Sequence, residues 1–97
     1  MNFEIAPKST EIQANWDDAR LYCFSLNIEG KTGWRLPTKD ELNEIYESEN
    51  DFVGYYWSST EYNGYLAWYQ GFLNGYQTDY NYKYYGGNYV RAVRSTV

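Results

Sequence analysis

Residues 33–42 read G-W-R-L-P-T-K-D-E-L, and they predict an extended segment that turns directly into a helix. The residue before a proline avoids the helical backbone, so the first part of this stretch is expected to be extended. Thr38 and Glu41 then form the T-x-x-E pattern of a capping box, and apolar residues follow at helical spacing from Leu42 onward. We therefore predict a helix over residues 38–48.

An earlier stretch has the pattern of another helix. Asn15 is a suitable N-cap, and Asp17 and Asp18 suit the positive end of the helix dipole. Apolar residues then recur every three or four positions, which predicts an amphipathic helix over residues 16–27 with Cys23 on its buried face.

Strand signals lie at both ends of the chain and in its middle. Residues 2–7 alternate apolar and polar side chains, residues 55–60 read Y-Y-W-S-S-T, and residues 88–94 read N-Y-V-R-A-V-R. The order of strand, two helices and further strands indicates an α+β fold, with two helices packed on antiparallel sheets. We expect the N- and C-terminal strands to pair, and residues 1–97 to form one domain.

Tyrosine is concentrated in one window. Nine of the 13 tyrosines lie between Tyr62 and Tyr89, among Asn, Gly and Gln, and the ionised residues in this window are Asp79 and Lys83. Tyrosine supplies rigid amphipathic contact area at low entropic cost, and this composition is typical of an antibody-like paratope. The window therefore predicts a macromolecule-binding surface. Half-buried strand tyrosines are one alternative. A disordered low-complexity tract is another, although the strand predicted directly after the window argues against it.

Composition argues against several functions. The net charge of −5 and the absence of a Lys/Arg cluster argue against nucleic-acid or anionic-lipid partners. One cysteine and no histidine argue against a zinc or copper site, so we expect no metal and no cofactor.

The first thirty residues lack a signal-peptide pattern, and no apolar run approaches the length of a membrane span. We expect display on a phage particle or cell surface only through another component, without direct membrane insertion.

Several motifs occur in an order that resembles one known family. They are W-D-D-A-x(3)-C at 16–23, G-W-R-L-P-T-x-x-E-L at 33–42, Y-W-S-S-T-E at 56–61, A-W at 67–68, F-x-x-G at 72–75 and V-R-A-V-R at 90–94. Together they resemble the C-type-lectin-like domain at the C-terminus of a bacterial collagen-like adhesin, whose relatives share the fold of formylglycine-generating enzymes. The resemblance extends from about residue 15 to residue 94 and implies a compact C-type-lectin-like, ligand-binding domain.

Within that family, the tyrosine-rich window is similar to the variable regions of proteins diversified by diversity-generating retroelements. In those systems adenines of an Asn-rich template are randomised, mostly at AAY codons, and such codons changed at their first two bases encode Tyr, Asn, Asp, Gly, Ser, Leu, Thr and others. The resemblance implies a scaffold of residues 1–61 and 88–97 around a variable binding region of residues 62–87. It also implies a protein or cell-surface receptor as partner. The candidate ligand-binding residues are Tyr65, Leu66, Tyr69, Gly71, Leu73, Tyr76, Thr78, Asp79, Tyr80, Asn81, Tyr82, Tyr84, Tyr85, Gly86 and Gly87. We expect the tyrosines to form one exposed surface above Trp68, Phe72 and Val90.

Enzymatic and calcium chemistry have little support in the sequence. The formylglycine-generating relatives use a pair of cysteines, whereas Cys23 is single and is expected to fill the core. Asp79 with Asn81, and Glu49 with Asp51, lack the calcium-lectin patterns E-P-N and Q-P-D, and no carboxylate pair is singled out for glycoside hydrolysis. We therefore expect a binding module and not an enzyme. A fixed carbohydrate-binding adhesin domain and a structural oligomerisation domain are the alternatives, and the oligomeric state is left open.

Overall fold

The computed structural model describes the backbone of residues 1–97 and the side chains of residues 1–78 and 81–97. Two α-helices, α1 and α2, lie among eight strands, β1 to β8, and a 3-10 turn occupies Lys8–Thr10. In chain order the elements are β1 Phe3–Ile5, β2 Ile12–Ala14, α1 Trp16–Ser25, β3 Trp34–Arg35, α2 Lys39–Tyr46, β4 Tyr55–Glu61, β5 Leu66–Gly71, β6 Gln77–Tyr82, β7 Asn88–Val90 and β8 Val93–Ser95. The predicted α+β class is confirmed.

Both helices begin as the sequence predicts. The Asp18 N–H donates to Asn15 Oδ1 at 2.9 Å at the start of α1. At the start of α2 the Glu41 N–H donates to Thr38 Oγ1 at 3.1 Å, and the Thr38 N–H donates to Glu41 Oε1 at 2.9 Å. These bonds satisfy backbone donors that have no partner inside the helix. α1 ends two residues earlier than predicted, because Leu26 is already extended while its N–H bonds to Cys23 O.

The strands form two sheets. The three-stranded sheet has the order β1-β8-β3, and the five-stranded sheet has the order β2-β7-β4-β5-β6. Phe3 pairs with Ser95 and Ile5 with Val93, so the predicted pairing of the terminal strands is confirmed. All pairs are antiparallel except β4 with β7, which run parallel at Tyr56 and Tyr89.

Two cores lie on opposite faces of the five-stranded sheet. Trp57 belongs to the first core, under α1, and its neighbour Tyr56 belongs to the second, under α2. Successive strand residues point to opposite faces, so β4 connects both cores. The buried residues of the first core are Ala6, Trp16, Ala19, Cys23, Trp34, Leu36, Trp57, Ala67, Val90 and Ala92; those of the second are Phe3, Leu42, Ile45, Phe52, Tyr56 and Val93.

Two predictions about individual core residues have different outcomes. Cys23 is fully buried in the first core, as predicted, and desolvation raises the pKa of its thiol to about 12. Trp68 was expected in the core, and that expectation is wrong, because the residue is only half-buried. The Lys39 Nζ lies 4.0 Å from the centroid of the Trp68 ring, so the first residue of α2 lies over this ring.

Candidate ligand-binding surface

The surface begins with a row of side-by-side residues that crosses β4, β5 and the segment just before β6. Tyr55 of β4 pairs with Gly71 of β5, and the Gly71 N–H donates to Tyr76 O at 2.9 Å just before β6. In the next row Trp57, Tyr69 and Thr78 are aligned. Cross-strand partners share a face of the sheet, so Tyr55, Tyr69 and Tyr76 point to the same side.

These tyrosines and Tyr85 form the central tyrosine group, defined as Tyr55, Tyr69, Tyr76 and Tyr85. The ring centroids of Tyr55 and Tyr69 are 5.8 Å apart, and Tyr69 meets the Trp57 ring edge-on at 6.4 Å. The pKa of Tyr69 is raised, first by desolvation and then by the nearby phenols of Tyr55, Tyr76 and Tyr85. Tyr69 is thus the half-buried base of a group whose other members are exposed.

A second set, the outer tyrosine group, comprises Tyr65, Tyr82 and Tyr84. Tyr82 and Tyr84 are stacked, with ring centroids 5.3 Å apart and an interplanar angle of 19°. Tyr65 and Tyr84 line a polar cavity of about 400 Å³ beside the start of α1. Its other lining residues are Asn15, Asp17, Asp18, Gly64 and Lys83.

A β-bulge separates the two groups. Tyr69 pairs with Thr78, but Ala67 pairs with Asn81, so β6 contains one more residue than β5 between these pairs. The extra residue reverses the alternation, and Tyr82 points to the face opposite that of Tyr69. Tyr76 and Tyr82 therefore lie on opposite faces of the sheet, although simple alternation along a strand would place them on the same face.

The candidate residues differ widely in exposure. The predicted contact tyrosines whose side chains are described are exposed by 78% for Tyr84 to 49% for Tyr85. Tyr69 is the exception, because it is half-buried. Leu73 is 94% exposed in the turn after β5, Gly86 is exposed, and Leu66, Asn81 and Gly87 are intermediate. Gly71 and Thr78 are buried, which leaves them no surface for direct contact with a ligand. Asp79 and Tyr80 lie outside the residues whose side chains the structure describes.

Tyr55 is the residue that sequence reasoning missed. It lies in β4, outside the predicted variable region, yet its side chain is 55% exposed and contacts the central tyrosine group. Its pattern in the sequence is that of an ordinary strand residue beside buried Tyr56 and Trp57. The signal that identifies it is the pairing with Gly71, which cannot be read from local sequence.

Asn88 lies beside Tyr55 on β7, because β4 and β7 run parallel in register at the following residues. Its Nδ2 is buried, and among the described side chains it has no hydrogen-bond partner.

Three arginines of the scaffold, Arg35, Arg91 and Arg94, are paired with acids. Arg35 contacts Glu41 at 2.6 Å, and this contact holds the pKa of the Glu41 carboxyl below its usual value. Arg94 contacts Glu4 at 2.8 Å, and Arg91 contacts Glu11 at 3.1 Å. These pairs leave the guanidinium groups engaged within the scaffold and not with a ligand.

A second concave region lies along α1, away from the central tyrosine group. This cavity of about 530 Å³ is lined by Asp17, Arg20, Leu21, Phe24, Trp34, Arg35, Leu36 and Ser59. Leu21 and Phe24 are exposed on its rim.

Within the described side chains, no group of three or more His, Cys, Asp or Glu is placed to hold a metal ion. Among the described residues, the helices are too short and polar to span a bilayer.

Comparison with known proteins identifies the family but no individual relative. No curated protein matches the sequence. A model of the Lcl C-terminal domain matches residues 4–94, which is nearly the whole chain. The chain therefore belongs to the Lcl C-terminal domain family, a family of C-type-lectin-like domains.

Proposed function

We propose that this domain is a ligand-binding module that presents its tyrosine-rich surface to a protein or cell-surface receptor. The observation that supports the proposal best is the exposure of many tyrosine rings on the ends of a rigid sheet. Exposed aromatic surface is unfavourable for solubility and is typical of surfaces that a partner covers. Tyrosine is also enriched in binding interfaces, where it contributes contact area at low entropic cost.

The position of these rings relative to the cores supports the same function. The buried aromatic residues Trp16, Trp34 and Trp57 belong to the cores, whereas the exposed tyrosines lie outside them. A surface of this kind tolerates substitutions with little loss of stability, because solvent-exposed side chains contribute little to the folding free energy. That separation is what a binding module with a changeable surface requires.

A selected peptide provides the test while the natural partner is unidentified. A random-peptide phage library would be selected on the wild-type domain, and the affinity of a recovered peptide measured for Tyr76→Ser/Tyr85→Ser. We expect a loss of roughly 25-fold, equivalent to the ~2 kcal/mol of a hot-spot side chain. The melting temperature should change little, since both rings are exposed.

The matched control removes equally exposed apolar side chains from another surface. Leu21→Ser/Phe24→Ser alters the rim of the α1 cavity and should leave the peptide affinity unchanged. If the recovered peptides instead lose affinity for the α1 variant and bind the tyrosine variant normally, the tyrosine surface is not the binding site.

We further propose that a diversity-generating retroelement diversifies residues 62–87. The support is the set of residues there that AAY codons can reach by changes at their first two bases, including tyrosine, asparagine, glycine and leucine. Sequencing the neighbouring DNA tests this proposal. A reverse-transcriptase gene beside a near-copy of the segment encoding residues 62–94 is the expected result, and its absence would favour a surface of fixed sequence.

A fixed carbohydrate-binding surface is the second candidate, and the polar cavity supports it. The rings of Tyr65 and Tyr84 lie beside the carboxylates of Asp17 and Asp18, which supply stacking faces and hydrogen-bond acceptors together. A glycan array would test this function. Binding of one sugar class that Tyr65→Ser/Tyr84→Ser abolishes would establish it, whereas an array without binding would leave the protein-binding proposal.

A further inference from the structure

Two glycines of the tyrosine-rich window lie directly beneath tyrosine rings. A Cβ atom at Gly71 would lie 2.7 Å from Tyr55 Cε1 and 3.0 Å from Cδ1. A Cβ atom at Gly87 would lie 2.5 Å from Tyr85 Cζ. Such separations are too short for carbon atoms, so a side chain at either position would displace the ring above it.

Space, and not backbone geometry, explains these two glycines. The positive-φ glycines are Gly30, Gly33 and Gly75, so the backbone at Gly71 and Gly87 accepts other residues. A larger residue at either position would not fit beneath the tyrosine ring.

The two rings concerned belong to the central tyrosine group. Gly71 lies between Tyr55 and Tyr76 in one row across the sheet, and the Tyr55 ring packs 5.8 Å from that of Tyr69. Tyr85 is near enough to Tyr69 to influence its pKa. The two glycines therefore determine the positions of two of the four rings of this group, those of Tyr55 and Tyr85.

We propose that Tyr55 is a ligand contact and that Gly71 and Gly87 are positioning residues, which act by supporting the rings of Tyr55 and Tyr85. This inference rests on the proposed function, since it concerns the same surface. Gly71 is itself buried, so its effect on a ligand passes through the ring above it. A side chain at residue 71 would tilt Tyr55 towards solvent and change the shape of the surface. Because the Tyr55 ring is 55% exposed, this change would have little effect on stability.

Alanine substitutions test the inference against two controls. Gly71→Ala and Gly87→Ala place a methyl group beneath a ring, whereas the first control, Gly64→Ala, places one where no atom lies within 4 Å. The second control is Leu21→Ser/Phe24→Ser on the α1 surface. The probe is the peptide selected on the wild-type domain. We expect Gly71→Ala and Gly87→Ala each to change its affinity by roughly tenfold, less than the loss of a hot-spot side chain. The two controls should bind as the wild type does.

A double-mutant cycle distinguishes a positioning role from a general structural one. With Tyr55→Ala already present, the ring that Gly71→Ala displaces is gone, so the second substitution should change the affinity no further. Any loss of melting temperature caused by Gly71→Ala should also disappear in the Tyr55→Ala background. Effects that simply add, or a stability loss that persists without the ring, would overturn the inference.

The outcomes also separate this inference from the function on which it rests. If Tyr76→Ser/Tyr85→Ser abolishes binding but Gly71→Ala and Gly87→Ala behave like their controls, the positioning role is wrong and the binding surface stands. If neither Tyr55→Ala nor Tyr76→Ser/Tyr85→Ser affects the peptide, the proposed surface itself is wrong.

Discussion

Replacing Arg91 with methionine should destabilise the domain more than breaking any exposed ion pair. The Arg91 side chain is 5% exposed, its Nε donates to Ala6 O at 2.6 Å, and its terminal nitrogens reach Glu11 Oε2 at 3.1 Å and Asp51 Oδ1 at 2.9 Å. The Glu11 side chain is also buried and would keep the Tyr56 hydroxyl at 2.8 Å and the exposed Lys8 ammonium at 3.5 Å. Breaking a buried pair costs about 3–5 kcal/mol when the remaining charge is uncompensated, and Lys8 compensates part of the Glu11 charge, so we expect a cost at the lower end of that range.

Urea unfolding measures this cost. With a denaturant slope of about 1.5 kcal/mol/M, the transition midpoint should fall by roughly 2 M. Lys31→Met is the control, since it breaks an exposed contact of 3.3 Å with Glu4 and should cost under about 1 kcal/mol. Adding Glu11→Gln to Arg91→Met should recover part of the loss, because the buried carboxylate is then gone and the Asp51 carboxylate that also loses Arg91 is exposed to water. An Arg91→Met variant as stable as Lys31→Met would refute this reasoning, as would a double variant less stable than Arg91→Met.

Further predictions concern individual side chains. Cys23→Ala should cost about 1–2 kcal/mol from a small cavity without affecting peptide binding, and a thiol reagent at pH 8 should modify Cys23 only in urea, since burial raises its pKa to about 12. Trp57→Ala should cost about 3–5 kcal/mol because the ring is fully buried, whereas half-buried Trp68→Ala should cost clearly less in the same urea titration. Arg35 lowers the pKa of Glu41, so this pair stabilises the fold above the unfolded carboxyl pKa of about 4.3, and the contribution is lost as the pH falls below it. Glu41→Gln should flatten this acid dependence, measured as melting temperature from pH 6 to pH 3; an unchanged profile would contradict the assignment. EDTA should alter neither melting temperature nor peptide affinity, and a shift of several degrees would show a metal site that we do not expect.

Local signals predicted both helices and the N-terminal strand, but the strand predicted over residues 88–94 is divided into β7 and β8, which lie in different sheets. The capping box at Thr38 and Glu41 depends on residues three positions apart, and the Asn15 cap depends on the same short spacing. Burial of Cys23 also follows from helical periodicity. These features are set by neighbouring residues, so a single sequence contains enough information to find them.

Features that depend on strand pairing were not predictable in the same way. The bulge in β6 adds one residue opposite β5, and the alternation rule then fails between Tyr76 and Tyr82. The role of Tyr55 depends on its pairing with Gly71, which lies sixteen residues later in the sequence. Trp68 was expected beneath the exposed tyrosines, but alternation along a strand gives only the face on which a residue lies and not how much of that face is covered. Each error arises from a long-range contact.

The distribution of burial also indicates how the surface can change while the fold persists. Leu73, Tyr65 and Tyr84 are strongly exposed, so they can vary with little effect on folding. Tyr69 packs against Trp57 in the first core, and Gly71 lies beneath Tyr55, so these two positions connect the scaffold to the surface. A change at an outer tyrosine therefore replaces one exposed side chain by another. A change at Gly71 instead moves an existing ring, and it alters the shape of the proposed binding surface from beneath.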